Sequence, residues 1–173
     1  MLFPPTSPSG RDGVTVRMCV TRLAPQPAFA GIKHLNRLEQ VLARREWSDP
    51  SIAEGLMLDV DGNLISGVQT NVFVVHGERI RTPVLRRCGV EGVMRRHVLE
   101  RRPGCGSCDV GERDVTLDAL HDADECFVTN SLIGVWPVTR ILTADGEWRR
   151  PIGTISRRIV DAVDDELAFR AEG

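Results

Sequence analysis

Apolar and polar positions alternate along residues 14–21, with Val14, Val16, Met18 and Val20 on one side and Thr15, Arg17, Cys19 and Thr21 on the other. That period of two predicts a half-buried strand. The Pro/Ser/Gly-rich residues 1–12 ahead of it read as a linker or a loose start. Pro25 and Pro27 then break the chain, and from Asn36 the pattern turns helical. Leu38, Val41 and Leu42 share one face, and Glu39 stands three residues on as a capping-box partner. Asp61-Gly62 between residues 55–59 and 63–66 predicts a hairpin, and His76-Gly77 between 71–75 and 79–81 a weaker one. A helix is expected over 92–101, stopped by Pro103-Gly104, then a strand over 109–114 and a short helix over 117–121. Core strands follow at 125–129 and 135–141. From Ile152 onward, Ile155, Ile159, Val163 and Leu167 recur every four residues, which predicts an amphipathic C-terminal helix. The sum is a mixed, strand-rich α/β chain, built on hairpins and lacking the regular βαβ alternation of a doubly wound sheet.

Composition narrows the classes. A chain of 173 residues accommodates one domain with a substantial core, here 13–173. Its 42% hydrophobic and 27% charged content is that of a globular protein. A net charge of −2, with arginine doublets scattered among acids, gives no electrostatic case for nucleic acid or an anionic membrane. No apolar run approaches membrane-spanning length, and the N-terminus lacks the basic leader and apolar core of a signal peptide. Five cysteines are an odd number and too sparse for a disulfide framework, which points to a reducing cytoplasm. Cys105 and Cys108 form a lone CxxC with neither a second ligand pair for zinc nor a following helix for redox chemistry, and they read as loop cysteines. His34, His76, His97 and His121 show no metal-ligand spacing, so no metal is expected.

Arginine stands almost everywhere a positive charge is wanted: of 22 basic residues, 21 are Arg and one, Lys33, is Lys. A guanidinium stays protonated, whereas an amine can lose its proton and condense with a carbonyl. Covalent chemistry with a carbonyl cofactor such as pyridoxal phosphate needs that amine. On composition alone, Lys33 is equally a coincidental survivor of an arginine bias. The glycines of residues 88–100, Gly89 and Gly92, stand just before the predicted helix, where backbone amides and a positive dipole end can meet an anion. An ordinary turn gives the same pair.

The run AGIKHLNRLEQVLAR around Lys33 resembles the cofactor-lysine segment of 4-amino-4-deoxychorismate lyases, within the class IV (fold type IV) pyridoxal-phosphate enzymes. TPVLRRCGVEGVMR is similar to the same family over its whole length. The resemblance implies the pyridoxal 5'-phosphate-binding C-terminal domain of the D-amino-acid aminotransferase-like architecture, with Lys33 as the cofactor lysine. It implies phosphate binding by the amides of Val93 and Met94, and by Ser131 beside Asn130. Val90 would pack on the pyridine ring. Gln69, Thr70 and Asn71 would lie beside the cofactor, although as bare residues they are equally hairpin-turn polars. Arg37 falls where relatives carry a polar residue near the cofactor's phenolic oxygen; its alternative is a surface arginine. Ser66 stands where class IV enzymes commonly place a glutamate against the pyridine nitrogen. A serine can hydrogen-bond that nitrogen but cannot stabilise its charge.

The function implied is release of p-aminobenzoate and pyruvate from a small-molecule substrate, 4-amino-4-deoxychorismate, in folate biosynthesis. Aromatisation of the product would compensate for a weak electron sink at Ser66. A cytoplasmic homodimer is implied as well. Another class IV enzyme, a branched-chain or D-amino-acid aminotransferase, is the alternative in kind, and a non-catalytic fragment of the lyase the alternative in activity. The family carries a small N-terminal domain that closes over the cofactor. Met1 opens directly on the Pro/Ser stretch, so that domain is expected to be absent and the chain by itself to hold its cofactor weakly.

Overall fold

The alternation over residues 14–21 produces a strand as far as Met18, beyond which Cys19 is buried and Val20 exposed, the reverse of the pattern. The computed structural model, which describes residues 8–171, sets it in the middle of a sheet. In chain order the elements are β1 (Val14–Met18), α1 (Leu38–Arg44), β2 (Ile52–Leu58), β3 (Leu64–Gly67), β4 (Asn71–His76) and β5 (Arg79–Thr82). They continue with α2 (Val93–Arg101), β6 (Asp109–Glu112), α3 (Leu117–His121), β7 (Glu125–Asn130), β8 (Gly134–Thr143), β9 (Gly146–Arg149) and α4 (Thr154–Ala171). The sheet runs β3-β2-β1-β8-β7-β4-β5-β6, with β9 bonded to β8. β1 is parallel to both β2 and β8, and β5 is parallel to β6. The remaining pairings are antiparallel, so the expected strand-rich, hairpin-built α/β character is what forms.

Both expected hairpins are present. In the first, Asp59 Oδ1 accepts the amides of Asp61 and Asn63 at 3.0 and 2.9 Å, which satisfies the donors of the Asp61-Gly62 turn. In the second, His76 pairs with Arg79, so the turn residues are Gly77 and Glu78, one step later than expected.

β4 is apolar on both sides because both sides are covered. Val72 and Val74 join Val14, Val16, Leu56 and Val128 in one cluster. Phe73 and Val75 point the other way, into a cluster with Met94 and Val98 of α2 and Ile155, Ile159 and Val163 of α4. Phe73 stacks on its register partner Phe127 with ring centroids 4.9 Å apart. Burying each such side chain is worth about 2–3 kcal/mol. The four-residue spacing in the tail is thus the seam by which α4 grips the sheet; the side chain of Leu167 lies outside the described residues. Glu125 on β7 caps this helix by accepting the amides of Ile155 and Ser156 at 3.1 and 2.6 Å.

Four expectations change. Of residues 1–12, 1–7 lie outside the described part, while Pro8–Asp12 is a packed 3-10 turn. Its Gly10 lies against the indole of Trp136, and its Arg11 pairs with Asp164 at 2.6 Å. α1 begins at Leu38, not Asn36, and Glu39 gives no capping box because its carboxylate accepts the amide of Ala24 at 2.9 Å. The face shared by Leu38, Val41 and Leu42 looks outward, with Leu38 65% and Val41 55% exposed. Ala43, small enough for a close approach, is the residue buried beside Trp47 and Met57. β9 had no strand-like alternation and follows the Asp145-Gly146 turn. Finally, Cys105 and Cys108 are disulfide-bonded and buried against Val98 and Ile159. Hydrogen bonds within 102–108 fold that loop until their Cα atoms stand 5.3 Å apart, inside bridging range.

Candidate cofactor site

Lys33 lies on an extended stretch between the Pro25/Pro27 segment and α1, and its side chain is exposed. Two sets of bonds fix that stretch. Gly31 forms a parallel bridge with Val90: its amide donates to Gly89 at 3.0 Å, and the amide of Glu91 donates back to Gly31 at 3.0 Å. Arg37, the N-cap of α1, reaches back so that Nε donates to the carbonyl of His34 and a terminal nitrogen to that of Ile32, each at 3.1 Å. Burial lowers the Arg37 pKa, and the nearby Glu39 opposes that shift. Among the described residues Lys33 has no ion-pair partner.

The loop bridged to Lys33 leads straight into α2. Gly89 has φ +92°, a left-handed conformation that favours glycine. Asn71, the first residue of β4, spans the next turn: its Nδ2 donates to Val90 O at 2.8 Å, and its Oδ1 accepts from Gly92 N at 3.1 Å. A Cβ at Gly92 would stand 2.2 Å from that Oδ1, so only glycine allows this cap. The amides of Val93 and Met94 then open α2 with no intrahelical acceptor, at the positive end of the helix dipole. A helix end of this kind can cradle an anion. The side chains there play other parts: Val93 is 74% exposed and Met94 is core.

The remaining predicted residues reach the site through the β3–β4 turn. Gly67 N donates to Thr70 O at 2.8 Å and closes it. Ser66, buried, heads the turn and pairs with Met57 of β2. Asn130 Nδ2 contacts Gln69 O at 3.3 Å, while Asn130 Oδ1 accepts the amides of Leu132 and Ile133 and so turns the chain at the exposed Ser131. The hydroxyl of Thr129, the register partner of Asn71, is buried without a partner among the described residues, while that of Thr70 lies against the Glu54 carboxylate. Lys33, Arg37, Asn71, Val90, Val93 and Met94 are therefore joined by direct bonds or sequence adjacency. Gln69, Thr70, Asn130, Ser131 and Ser66 adjoin them through one turn. A free amine, a helix-end cradle and an unsatisfied hydroxyl fit a group bearing a carbonyl and a phosphate.

Sequence reading missed two features. Arg37 spends its N–H groups on the backbone flanking Lys33, an arrangement invisible without the local fold. Glu54 is a carboxylate only 5% exposed beneath the β3–β4 turn, and its signal was an acid inside the otherwise apolar run of β2. A separate cleft of about 500 Å³, lined by Thr15, Thr139, Arg140, Arg149, Arg150 and Pro151, shares no residue with this site. Its arginines are already engaged, Arg140 and Arg149 by Glu147 and Arg150 by the carbonyls of Leu120 and Ala123.

Comparison with known proteins gives the arrangement a context. The amino-transferase class IV family pattern matches residues 2–141. An aminodeoxychorismate lyase of Vibrio harveyi is 44% identical over 147 residues, covering 85% of this chain and 54% of the relative. The crystal structure of 4-amino-4-deoxychorismate lyase from Pseudomonas aeruginosa superposes with a TM-score of 0.86 at 47% identity, covering 94% of this chain and 59% of that one. A T.th. branched-chain amino acid aminotransferase, solved with pyridoxamine 5'-phosphate, shares the fold at a TM-score of 0.78 and 24% identity, covering 94% of this chain and 54% of that one. The chain thus spans a little over half the length of these relatives.

Proposed function

Because this chain belongs to the class IV aminotransferase family, we propose that it acts as a pyridoxal-phosphate-dependent lyase converting 4-amino-4-deoxychorismate to p-aminobenzoate and pyruvate for folate synthesis. The observation that carries the reading is the placement of the single lysine. Lys33 stands on a backbone pinned to the loop that opens the α2 cradle. Greater likeness to lyases than to the aminotransferase supports the choice of reaction.

In this reading the amides of Val93 and Met94 take the phosphate, with the Ser131 hydroxyl as a further ligand. Val90 supports the ring, and Lys33 Nζ holds the cofactor's carbonyl carbon. Once bound, the cofactor supplies that carbonyl to the substrate amine and a ring that accepts electrons. With the substrate amine in its place, Lys33 Nζ would take the proton from the substrate carbon bearing that amine as the C–O bond to the enolpyruvyl group breaks, and a proton returned to that leaving group would give pyruvate. Ser66 offers the pyridine nitrogen a hydrogen bond without a countercharge. That suits an elimination driven by aromatisation and disfavours transamination, which leans harder on the electron sink.

The same reading makes a homodimer the working assembly, supported by the outward apolar surface of Ile32, Leu35, Leu38, Val41 and Leu42. It also puts the enzyme in the cytoplasm, a placement that rests on the family reading and not on the cysteines, since Cys19, Cys88 and Cys126 are thiols but Cys105 and Cys108 are bridged. Among the described residues no helix is long and apolar enough to cross a membrane.

The test is pyruvate release from 4-amino-4-deoxychorismate in the presence of pyridoxal phosphate. Release that depends on both the cofactor and Lys33 supports the lyase. Amino-group transfer to a 2-oxo acid without pyruvate release would replace it with the aminotransferase reading.

A further inference from the structure

Glu54 lies at the base of the β3–β4 turn, and none of the roles assigned above uses it. Its Oε1 accepts the amides of Gly55 and Val68 at 2.8 and 3.2 Å, and its Oε2 accepts that of Gln69 at 3.0 Å. Burial pushes its pKa up, and the amides of Gly55, Gln69 and Val68, with the Thr70 hydroxyl, pull the other way. No basic side chain pairs with it among the described residues. A buried carboxylate carries a desolvation cost, so simple stabilisation of the core does not account for an acid here.

Its placement does account for it. Residues 67–70 form a tight turn in which Gly67 N donates to Thr70 O and Val68 N is shared between Gly55 O and Glu54, while the amide of Gln69 has Glu54 as its acceptor. A two-oxygen acceptor with no proton of its own serves the Gly55 amide of β2 and the Val68 and Gln69 amides of the turn. Gly67 lies directly over the carboxylate, where an added Cβ would be 2.9 Å from Oε2. The Thr70 hydroxyl lies 2.1 Å from that same Cβ position, so Gly67 and Thr70 close over the acid together. The residue leaving the turn is Asn71, which bonds Val90 O and Gly92 N and so sets the first turn of α2. A continuous path runs from Glu54, through the amides of Val68 and Gln69, to Asn71 and the opening of the cradle.

We propose that Glu54 is a positioning residue for phosphate binding: it holds the 67–70 turn so that Asn71 fixes the N-terminus of α2, without itself touching the ligand. The proposal rests on the reading of this site as a pyridoxal-phosphate site. It specifies that the dependence is on the phosphate and not on the ring or the carbonyl.

Pyridoxal phosphate and pyridoxal, which lacks the phosphate, separate the two. Their dissociation constants are measured by absorbance titration on the full 173-residue chain and its variants. Glu54→Gln places an amide N–H₂ against backbone donors. It is expected to weaken pyridoxal phosphate about tenfold and pyridoxal by less than about twofold. Hydrogen exchange should quicken at Val68 and Gln69, and with them at Val93 and Met94. Ile159→Val, a core change in α4, controls for general destabilisation and should lower Tm while leaving the ratio of the two affinities unchanged. Glu54→Asp keeps the charge but shortens its reach. It is expected to fold and to lower the ratio, and it decides the matter if Glu54→Gln does not fold. Equal weakening of both ligands, or an unchanged ratio in a folded variant, overturns the proposal. A wild-type chain with no preference for the phosphorylated ligand would instead overturn the cofactor reading itself.

Discussion

Arg37 holds the backbone on both sides of Lys33: its guanidinium donates to the carbonyls of Ile32 and His34, each at 3.1 Å. A long, exposed amine has many rotamers, and fixing the Cα from which it springs removes one source of disorder before any ligand arrives. The planar fork of arginine suits this task because two N–H groups can reach two carbonyls without strain.

Arg37→Ala frees both carbonyls and is expected to slow covalent trapping of pyridoxal phosphate about tenfold, with little change in Tm. Arg37→Lys should not restore the rate, since one ammonium does not reproduce the fork. Borohydride quenching at timed intervals gives the rate. A rate equal to wild type in Arg37→Ala would show that Lys33 needs no such support.

The single lysine makes the covalent site directly readable. After incubation with pyridoxal phosphate and reduction with borohydride, peptide mapping should find the pyridoxyl group on Lys33. Lys33→Arg should abolish the label while leaving the thermal unfolding curve in place, because the side chain is exposed. A label confined to the N-terminal amine would remove the catalytic assignment.

Ser66→Glu places a carboxylate where the pyridine nitrogen is expected. The ratio of pyridoxamine phosphate formed to pyruvate released should rise, because a countercharge strengthens the electron sink. Mass spectrometry of the cofactor alongside a pyruvate assay measures both. A constant or falling ratio would mean that residue 66 does not face the nitrogen.

Acid should loosen the β1–α1 corner. Burial tends to raise the Glu46 pKa, but the amides of Thr21 and Val20, at 2.8 Å each, and the nearby Arg17 outweigh it and leave the pKa below the ordinary carboxylate value. A depressed folded pKa means stability that is fully present above the unfolded value of about 4.3. It is lost as pH falls through the folded one. Denaturant titrations should therefore show stability falling on acidification, with a shallower fall in Glu46→Gln. Parallel curves for the two proteins would contradict this.

Much of the fold could be read from local signals. The hairpin at Asp61-Gly62 and the four-residue spacing of α4 are carried by residues that determine their own conformation. Periodicity misleads at α1 because it reports which positions share a face and not which way that face looks. Leu38 and Val41 do share one, but Ala43 and Trp47 are what dock. Within the site, Lys33 and Gly92 were legible because their chemistry is unusual in itself. The support given by Arg37, Asn71 and Glu54 was not, because each acts through backbone groups of residues distant in sequence or folded back in space. Cys105 and Cys108 show the same limit, since their bridge depends on how residues 102–108 turn.

The parallel pairing of β1 with β8 also bears on how the molecule is made. Val14 lies opposite Val138, so β1 stays unmatched on that edge until β8, far along the sequence, has left the ribosome. Contacts of such long sequence separation slow folding and leave an apolar strand edge open to other nascent chains meanwhile. β2 reaches β1 much earlier and covers its other edge. The exposed interval therefore belongs to the β8 side alone, and a chaperone that shelters strand edges would be most useful to this protein before residue 143 emerges.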